Sequence, residues 1–216
     1  MVKEIFQPFN AHNMQAKTRL VRSATWENLA TPEGGICENS YELYDELAAG
    51  GVGTLITGFT SVDANDRYFG GMMRLCDDSL IPEYKRLTEI IKKHDVFVMT
   101  QLALGAYYAK GRDGRYSEVD IDYMTTEQIH DAVHKFVEAG RRAAEAGFDG
   151  VRFMPHTFSS SAGLYLLPST IARMSMEART AIVPVFLWKS SPVSDRWHLR
   201  FISPSKSIHR TSCPED

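Results

Sequence analysis

Short apolar segments alternate with amphipathic segments throughout the first 151 residues of this chain. Compact apolar runs, typical of buried strands, predict strands at residues 19–25, 52–57, 96–101 and 148–151. Between them, apolar residues recur at spacings of three and four, as in helices that bury one face. Alternating strands and helices predict βαβ units around a parallel sheet. No Gly-x-Gly-x-x-Gly follows the first strand, which disfavours a dinucleotide-binding Rossmann fold.

A (β/α)8 barrel accounts better for this alternation. A whole barrel needs roughly 250 residues, so four units in the first 151 residues predict half of one. Helix ends fit the pattern, because each predicted helix has a capping residue before it and glycine after the first and third. The candidate amino-terminal caps are Asn39 or Ser40, Asp78 or Ser79, and Thr125, which has Gln128 at capping-box spacing. The sequence therefore predicts an α/β fold that begins as the amino-terminal half of a TIM barrel.

Composition changes abruptly after Val151. Residues 1–151 contain 23 Asp and Glu, 16 Lys and Arg, 14 of the 15 glycines and five serines. Residues 152–216 contain four Asp and Glu, eight Lys and Arg, one glycine, 12 serines and six of the nine prolines. The net charge changes from −7 to +4, and the hydrophobic period is lost. We therefore expect two parts: a partial barrel over residues 1–151 and an irregular tail over residues 152–216.

Several classes of protein are disfavoured by the sequence. The whole chain has 216 residues, a net charge of −3 and 44% hydrophobic residues, as is ordinary for a globular protein. No apolar run approaches the roughly 18 residues of a membrane span, and the first residues do not resemble a signal peptide. Mild acidity gives no reason to expect a nucleic-acid partner. Cys37, Cys76 and Cys213 are odd in number and far apart, which predicts a reducing, cytoplasmic location.

Three segments resemble the old yellow enzyme family, in its NADH:flavin oxidoreductase branch. Ile-Phe-Gln-Pro-Phe at residues 5–9, with Lys-Thr-Arg-Leu-Val-Arg-Ser-Ala-Thr-Trp at 17–26, is similar to the family's opening strand. Leu-Ala-Ala-Gly-Gly-Val-Gly-Thr-Leu-Ile-Thr-Gly at 47–58 is similar to its second unit. Residues 136–151, which end in Ala-Gly-Phe-Asp-Gly-Val, resemble the helix and strand before its catalytic histidines. The resemblance covers residues 1–151, about 70% of the chain.

The resemblance implies an FMN site at the carboxyl ends of the strands, where barrels of this type carry their active sites. Backbone and small side chains at Ser23, Ala24, Thr25 and Gly58 are expected to contact the flavin. Gln101 matches the family's glutamine, whose amide faces the pyrimidine edge of the ring. Without the family, Gln101 would be interpreted as a solvated loop residue and Gly58 as a turn residue. The family implies NAD(P)H as reductant and a small α,β-unsaturated carbonyl, or enone, as substrate.

Other candidate residues have more ordinary interpretations. Trp26 is expected to pack rather than to take part in catalysis, although many relatives have Thr or Cys there. His130 and His134 are four residues apart on a predicted helix, but without a third ligand a solvated helix face is the better interpretation and no metal site is predicted. Tyr107 and Tyr108 follow strand three, and nothing in their context marks either as a proton donor. We therefore predict no catalytic residue in this chain.

The family continues strand four with a pattern like Gln-Ile-His-Ala-Ala-His, whereas this chain continues Arg-Phe-Met-Pro-His at residues 152–156. The codons CAG ATT CAT GCC GCA CAC become those of the observed residues when the first A is deleted. Suitable codons for residues 169–185, read in the other frame, also recover the family's Asn-x-Arg-x-Asp-Glu-Tyr-Gly-Gly-Ser motif. We therefore infer a one-base frameshift at residue 152. A mutation, a wrongly spliced gene prediction or a base-calling error would each produce it, and a divergent carboxyl-terminal segment is the alternative.

Two functional hypotheses follow from the sequence. By resemblance, the chain derives from an FMN-dependent NAD(P)H oxidoreductase of the ene-reductase type, truncated and inactive as written. The alternative is a half-barrel remnant without cofactor or enzymatic activity. The exposed edges of strands one and four are also expected to favour self-association.

Overall fold

The described part of the chain is an α/β unit with a mainly parallel sheet. The computed structural model describes residues 3–11, 14–66, 70–120 and 123–154. Its strands are β1 Phe9–Ala11, β2 Met14–Ala16, β3 Val21–Arg22, β4 Thr54–Ser61, β5 Met73–Arg74, β6 Phe97–Ala103, β7 Tyr108–Lys110, β8 Tyr116–Glu118 and β9 Gly150–Met154. Its α-helices are α1 Glu38–Ala49, α2 Ile81–Lys92 and α3 Thr126–Glu145.

The main sheet has the strand order β3-β4-β6-β9, and these neighbours are parallel. One α-helix lies between each consecutive pair along the chain. The short strand β5 also pairs in parallel with the end of β4, and two antiparallel hairpins, β1-β2 and β7-β8, lie outside this sheet. Spatial order that follows chain order in a parallel sheet is the arrangement of consecutive units in a (β/α)8 barrel, so the predicted alternation is confirmed.

The two faces of the sheet have different neighbours. Alternate residues of β6, such as Val98 and Leu102, pack with Tyr84 and Ala143 in the large apolar core that contains residues of all three helices. This follows from the two-residue period of a strand, because β6 must bury one side under the helices. On the other face, Ala103 packs in a small cluster with Phe59, Met72 and Met154. This second face corresponds to the inner face of the partial barrel.

The observed helix ends agree only in part with the caps predicted from the sequence. The capping box of α3 is confirmed: the Thr125 hydroxyl accepts from the Gln128 amide at 3.3 Å, and Gln128 Oε1 accepts from the Thr125 amide at 2.8 Å. Asn39 or Ser40 as the cap of α1 was wrong, because α1 begins at Glu38 after Cys37. Ser40 is instead buried and donates its hydroxyl hydrogen to the Leu29 carbonyl at 2.9 Å.

The start of the second helix also differs from the prediction. A short 3-10 turn, Asp78–Leu80, precedes α2, so Asp78 and Ser79 lie within that turn rather than at the helix cap. Asp77 caps the turn, and its carboxylate accepts from the Ser79 amide at 2.9 Å. The sequence could not distinguish three consecutive residues that are all favoured at helix amino termini.

The strands differ from their predicted lengths at both ends of the sheet. The first parallel strand is short, and residues 23–25 lie beyond it. The fourth parallel strand continues past Val151: Arg152, Phe153 and Met154 pair with Gln101, Leu102 and Ala103 of β6. These three residues of the predicted tail therefore extend the barrel sheet. Residues 155–216, which include the rest of the tail, lie outside the described residues.

The capping box gives a direct stability test. Replacing Thr125 with alanine removes the hydroxyl that accepts from the Gln128 amide, so we expect the free energy of unfolding to fall by about 1 kcal/mol. Urea denaturation followed by far-UV circular dichroism measures this change. Thr126→Ala is the matched control, since Thr126 is exposed in the first turn of α3 and its loss should change stability by less than about 0.5 kcal/mol. Equal losses in the two variants would contradict the prediction.

Candidate functional site

The strands β3, β4, β6 and β9 are parallel, so their carboxyl ends lie along one edge of the sheet. This is the edge at which barrels of this type place ligands and catalytic groups. Thr25, Gly58 and Gln101 meet there. The Thr25 carbonyl oxygen lies only 2.4 Å from where a β-carbon on Gly58 would be, and Gln101 pairs with Phe59, the residue after Gly58. Ser23 and Ala24 lie on the segment that joins β3 to Thr25, and Ser23 is exposed.

Gly58 lies in a bulge of β4 rather than in a turn after the strand. The pairing of β4 with β6 runs from Ile56 opposite Met99 to Phe59 opposite Gln101, so β4 has one extra residue here. A side chain at position 58 would also collide with Glu27, whose Oε2 lies 2.2 Å from the β-carbon position. The glycine therefore permits close approach of two backbone segments, which is one reason for glycine inside a strand. This geometry disagrees with the simple turn interpretation.

Gln101 is buried near the end of β6, with 6% of its surface exposed. Its side-chain amide donates to the sulfur of Met154 at 3.1 Å. A thioether is a weak hydrogen-bond acceptor, so this contact leaves the amide able to exchange it for a stronger acceptor such as a carbonyl oxygen. The interpretation of Gln101 as a solvated loop residue is excluded. Its contact with a flavin stays a prediction.

By the sequence resemblance, Met154 corresponds to the first histidine of the family pattern Gln-Ile-His-Ala-Ala-His. Its neighbours on the inner face are Phe59, Met72 and Ala103, and it is the last residue of β9. A thioether can neither donate a hydrogen bond to a carbonyl oxygen nor carry a positive charge. The structure therefore gives this position no group that could polarise a substrate carbonyl. His156 lies outside the described residues.

A shallow cleft lies beside this edge, between the segment after β3 and the helix α1. Trp26, Glu27, Tyr44 and Phe59 are among its lining residues. Its cavity volume is about 10 Å³, which is space for about one water molecule, so the cleft is too small for a flavin ring. The Trp26 indole donates to the Gly70 carbonyl at 3.2 Å while much of the ring remains exposed. Trp26 therefore anchors one loop against another.

An ionic network that is buried at Asp63 and partly exposed at Lys135 and Asp131 joins the loops after β4 and β6 to the helix α3. The Lys135 ammonium lies 2.7 Å from a carboxylate oxygen of Asp63 and 2.7 Å from one of Asp131. The Tyr107 hydroxyl donates to that same Asp131 carboxylate at 2.7 Å, and Lys135 also lies over the Tyr107 ring, 4.7 Å from its centroid. The network holds two loops at the carboxyl edge in fixed positions. Sequence reasoning missed it, because only the four-residue spacing of Asp131 and Lys135 gives a signal.

Tyr107 is a poor candidate for a proton donor. Burial, together with the hydrogen bond to Asp131, raises its pKa to about 12. The phenol is therefore a weaker acid than an ordinary tyrosine, and its hydrogen is already donated to the Asp131 carboxylate. Tyr108 lies in the hairpin strand β7. These contacts give Tyr107 a role in packing and loop attachment.

Among the described residues, neither histidine of the predicted helix lies in a cluster of metal-binding side chains. His130 and His134 are both exposed on α3, as expected for a solvated helix face. Within residues 3–11, 14–66, 70–120 and 123–154, no group of three or more His, Cys, Asp or Glu could hold a metal ion. No helix in this part of the chain has the length and apolar character needed to cross a membrane.

The fold agrees with comparisons to known proteins. The sequence model of the NADH:flavin oxidoreductase / NADH oxidase family matches residues 4–158, and the chain belongs to this family. Flavin and NAD(P)H are the redox groups of the family. The family prediction made from three sequence segments is therefore confirmed.

Each of three individual relatives aligns with only part of this chain and with less than half of its own length. The chain is 27% identical to a metal reductase of Desulforamulus reducens, over 69% of this chain and 24% of that protein. It is also 27% identical to an NADPH dehydrogenase of Bacillus velezensis, over 69% of this chain and 47% of that protein. The crystal structure of an old yellow enzyme from Pichia sp. AKU4542 superposes with a TM-score of 0.58 at 20% identity, over 69% of this chain and 45% of that one. The fold is that of the old yellow enzyme barrel, and the chain spans a quarter to a half of the length of these relatives.

Proposed function

We propose that this chain carries the ring-binding half of an FMN-dependent NAD(P)H oxidoreductase of the ene-reductase type, and that the 216-residue chain does not itself catalyse turnover. The observation that supports the first part is the meeting of Thr25, Gly58 and buried Gln101 at the carboxyl edge. The observation that supports the second is Met154 on β9, in the place of the family's first histidine.

The residues present fit one part of the flavin. At Gly58 the space beside the α-carbon is occupied by the Thr25 carbonyl and the Glu27 carboxylate, so the fit to the ring is supported by Gln101, whose side-chain amide can both donate and accept toward a pyrimidine edge. The flavin phosphate would need other residues, because barrels of this type commonly bind it with the loops after strands seven and eight. The four parallel strands β3, β4, β6 and β9 correspond to the first four units, so the expected ring contacts lack a phosphate anchor among the described residues.

When bound, the flavin supplies the redox chemistry, which passes a hydride from NAD(P)H to the β-carbon of an activated alkene. The chain's own residues would orient the ring through Gln101, and the glycine at position 58 would let the Thr25 segment lie close to β4 at the same edge. Polarising the substrate carbonyl would require hydrogen-bond donors at the end of β9. The Met154 thioether cannot donate there, and removing one such donor typically costs on the order of 10²–10³ in rate.

The proposal is tested on the purified 216-residue chain with added FMN. We expect weak or no flavin binding and no oxidation of NADH or NADPH that depends on cyclohexenone. Absorbance of the protein after gel filtration measures bound flavin, and loss of absorbance at 340 nm measures turnover. A Bacillus NADPH dehydrogenase of the same family, treated identically, is the positive control. A yellow, stoichiometrically loaded chain with enone-dependent turnover would overturn the inactivity proposal.

A remnant that has lost all affinity for flavin is the second candidate function. The same preparation discriminates between the two, because a ring-binding half barrel should perturb the flavin spectrum at millimolar FMN and a remnant should not. Self-association also stays a prediction. Its basis is that β3 and β9 lie at the two ends of the described main sheet, where unpaired backbone groups favour strand addition. The cytoplasmic location likewise stays a prediction.

A further inference from the structure

The bulge in β4 creates a local hydrogen-bonding problem. Between Ile56 and Phe59 the ladder with β6 is interrupted, so backbone groups in this segment lack regular partners in the sheet. Buried backbone groups require other partners, because leaving one unsatisfied costs as much as a lost hydrogen bond. Side chains from β3 and from α1 provide partners for two of these groups.

Side-chain contacts hold the bulge from two sides. Arg22 donates through Nη1 to the Ile56 carbonyl at 3.1 Å, and the Gly58 amide donates to the Tyr44 hydroxyl at 2.9 Å. Glu27 lies between the two contacts, because it forms an ion pair with Arg22 and its charge acts on Tyr44. Arg22 and Tyr44 therefore hold the bulge on both sides of Thr57.

The cluster of Arg22, Glu27 and Tyr44 is largely buried. Tyr44 is 1% exposed, and the side chains of Arg22 and Glu27 are 15% and 10% exposed. Burial, with the Glu27 charge nearby, raises the pKa of Tyr44, so its hydroxyl keeps its proton. Arg22 also lies over the Tyr44 ring, 5.7 Å from its centroid. Low exposure strengthens each polar contact and makes its loss costly.

We propose that Tyr44 and Glu27 are positioning residues that hold the β4 bulge, and thereby set where Gly58 and Phe59 stand at the flavin edge. The flavin part of this inference rests on the proposed function, whereas the bulge part does not. Neither residue has to touch the cofactor. Their effect passes through the Gly58 amide and through Phe59, which pairs with Gln101.

Amide hydrogen exchange on the ¹⁵N-labelled full chain tests the bulge part. Tyr44→Phe removes the acceptor for the Gly58 amide, so that amide should exchange about tenfold faster or more relative to Ile91, a buried residue of α2. Tyr41→Phe is the matched control, because Tyr41 is a buried tyrosine of the same helix whose hydroxyl donates to the Glu83 carbonyl instead. Glu27→Gln keeps hydrogen-bonding capacity and should retain most of the protection that Glu27→Leu loses. Equal Gly58 exchange in Tyr44→Phe and Tyr41→Phe would overturn the inference.

Titration with FMN tests the flavin part. In the wild-type chain, the amide signals of Gly58, Phe59 and Gln101 should shift at millimolar FMN. The dissociation constant should rise several-fold in Tyr44→Phe and stay unchanged in Tyr41→Phe. Faster Gly58 exchange with unchanged FMN affinity would overturn the positioning role at the flavin edge. If wild-type signals do not respond to FMN at all, the flavin assignment of the proposed function fails, while the exchange data still decide whether Tyr44 holds the bulge.

Discussion

Restoring one base at codon 152 should open a reading frame that contains His-x-x-His and Glu-Tyr-Gly-Gly and continues well past residue 216. The protein made from that frame should bind FMN stoichiometrically and reduce cyclohexenone, at a rate at least on the order of 10²–10³ above that of the 216-residue chain. The reason is that the restored frame replaces the Met154 thioether with an imidazole and adds the units that carry the remaining donors and the phosphate site.

The strand β9 shows where the restored histidine would lie. The backbone of β9 already pairs with β6 through Met154, so the restored histidine would take a position on an existing strand beside Gln101. Reading-frame sequence, bound flavin and enone-dependent NAD(P)H oxidation are the three measurements. Met154→His in the original frame is the control, and it should restore no turnover because one imidazole supplies neither the second histidine nor the phosphate site. A stop codon within a few dozen triplets of the restored frame would refute the frameshift.

The sequence predicted the framework of this fold because its signals are local. Thr125 and Gln128 are three residues apart, and both halves of the capping box were visible before the structure was known. Barrels of this type carry their active sites at the carboxyl ends of the parallel strands, which is why Gln101 could be assigned to the carboxyl edge. Strand periodicity, capping chemistry and strand order depend on neighbours within a few residues or on general rules of topology.

The parts that were missed depend on contacts between distant residues. Nothing near Gly58 reveals that Tyr44, 14 residues earlier, accepts its amide hydrogen. Cys37 precedes α1 without a side-chain cap, because its thiol and the Ser40 hydroxyl both bond to the Leu29 carbonyl outside the helix. Tertiary contacts therefore override the capping preference. Asp63 and Lys135 are 72 residues apart. Such pairs are set by packing of βαβ units, and a single sequence does not record them.

The pair formed by Asp63 and Lys135 should be a sensitive polar contact of the described core, because its carboxylate is almost fully buried. The Asp63 side chain is 2% exposed and that of Lys135 is 25% exposed. Burial alone lowers the pKa of Lys135, but its hydrogen bonds to Asp131 and Asp63 raise it overall. The ammonium is therefore charged at neutral pH. Its contribution to stability is fully present below the ordinary lysine pKa and is lost as pH rises through the folded-state value.

We expect Lys135→Met to lower the free energy of unfolding by about 3 kcal/mol, because it leaves the Asp63 carboxylate buried without its cation. This is near the lower end of the usual range, since Lys135 is partly exposed and Asp63 keeps a hydrogen bond from the Asn65 amide at 2.8 Å. Urea denaturation at pH 7 measures the change. Lys92→Met is the matched control: Lys92 lies 2.8 Å from Asp149, but both partners are more exposed, so about 1 kcal/mol or less should be lost.

A double variant separates charge burial from packing. Adding Asp63→Asn to Lys135→Met removes the unpaired charge while keeping a side chain of nearly the same shape, so part of the lost stability should return. If the cost of Lys135→Met came only from lost contacts of the lysine stem, the second substitution would add to the damage instead. A loss in Lys135→Met no larger than that in Lys92→Met would show that burial of Asp63 does not control the strength of this pair.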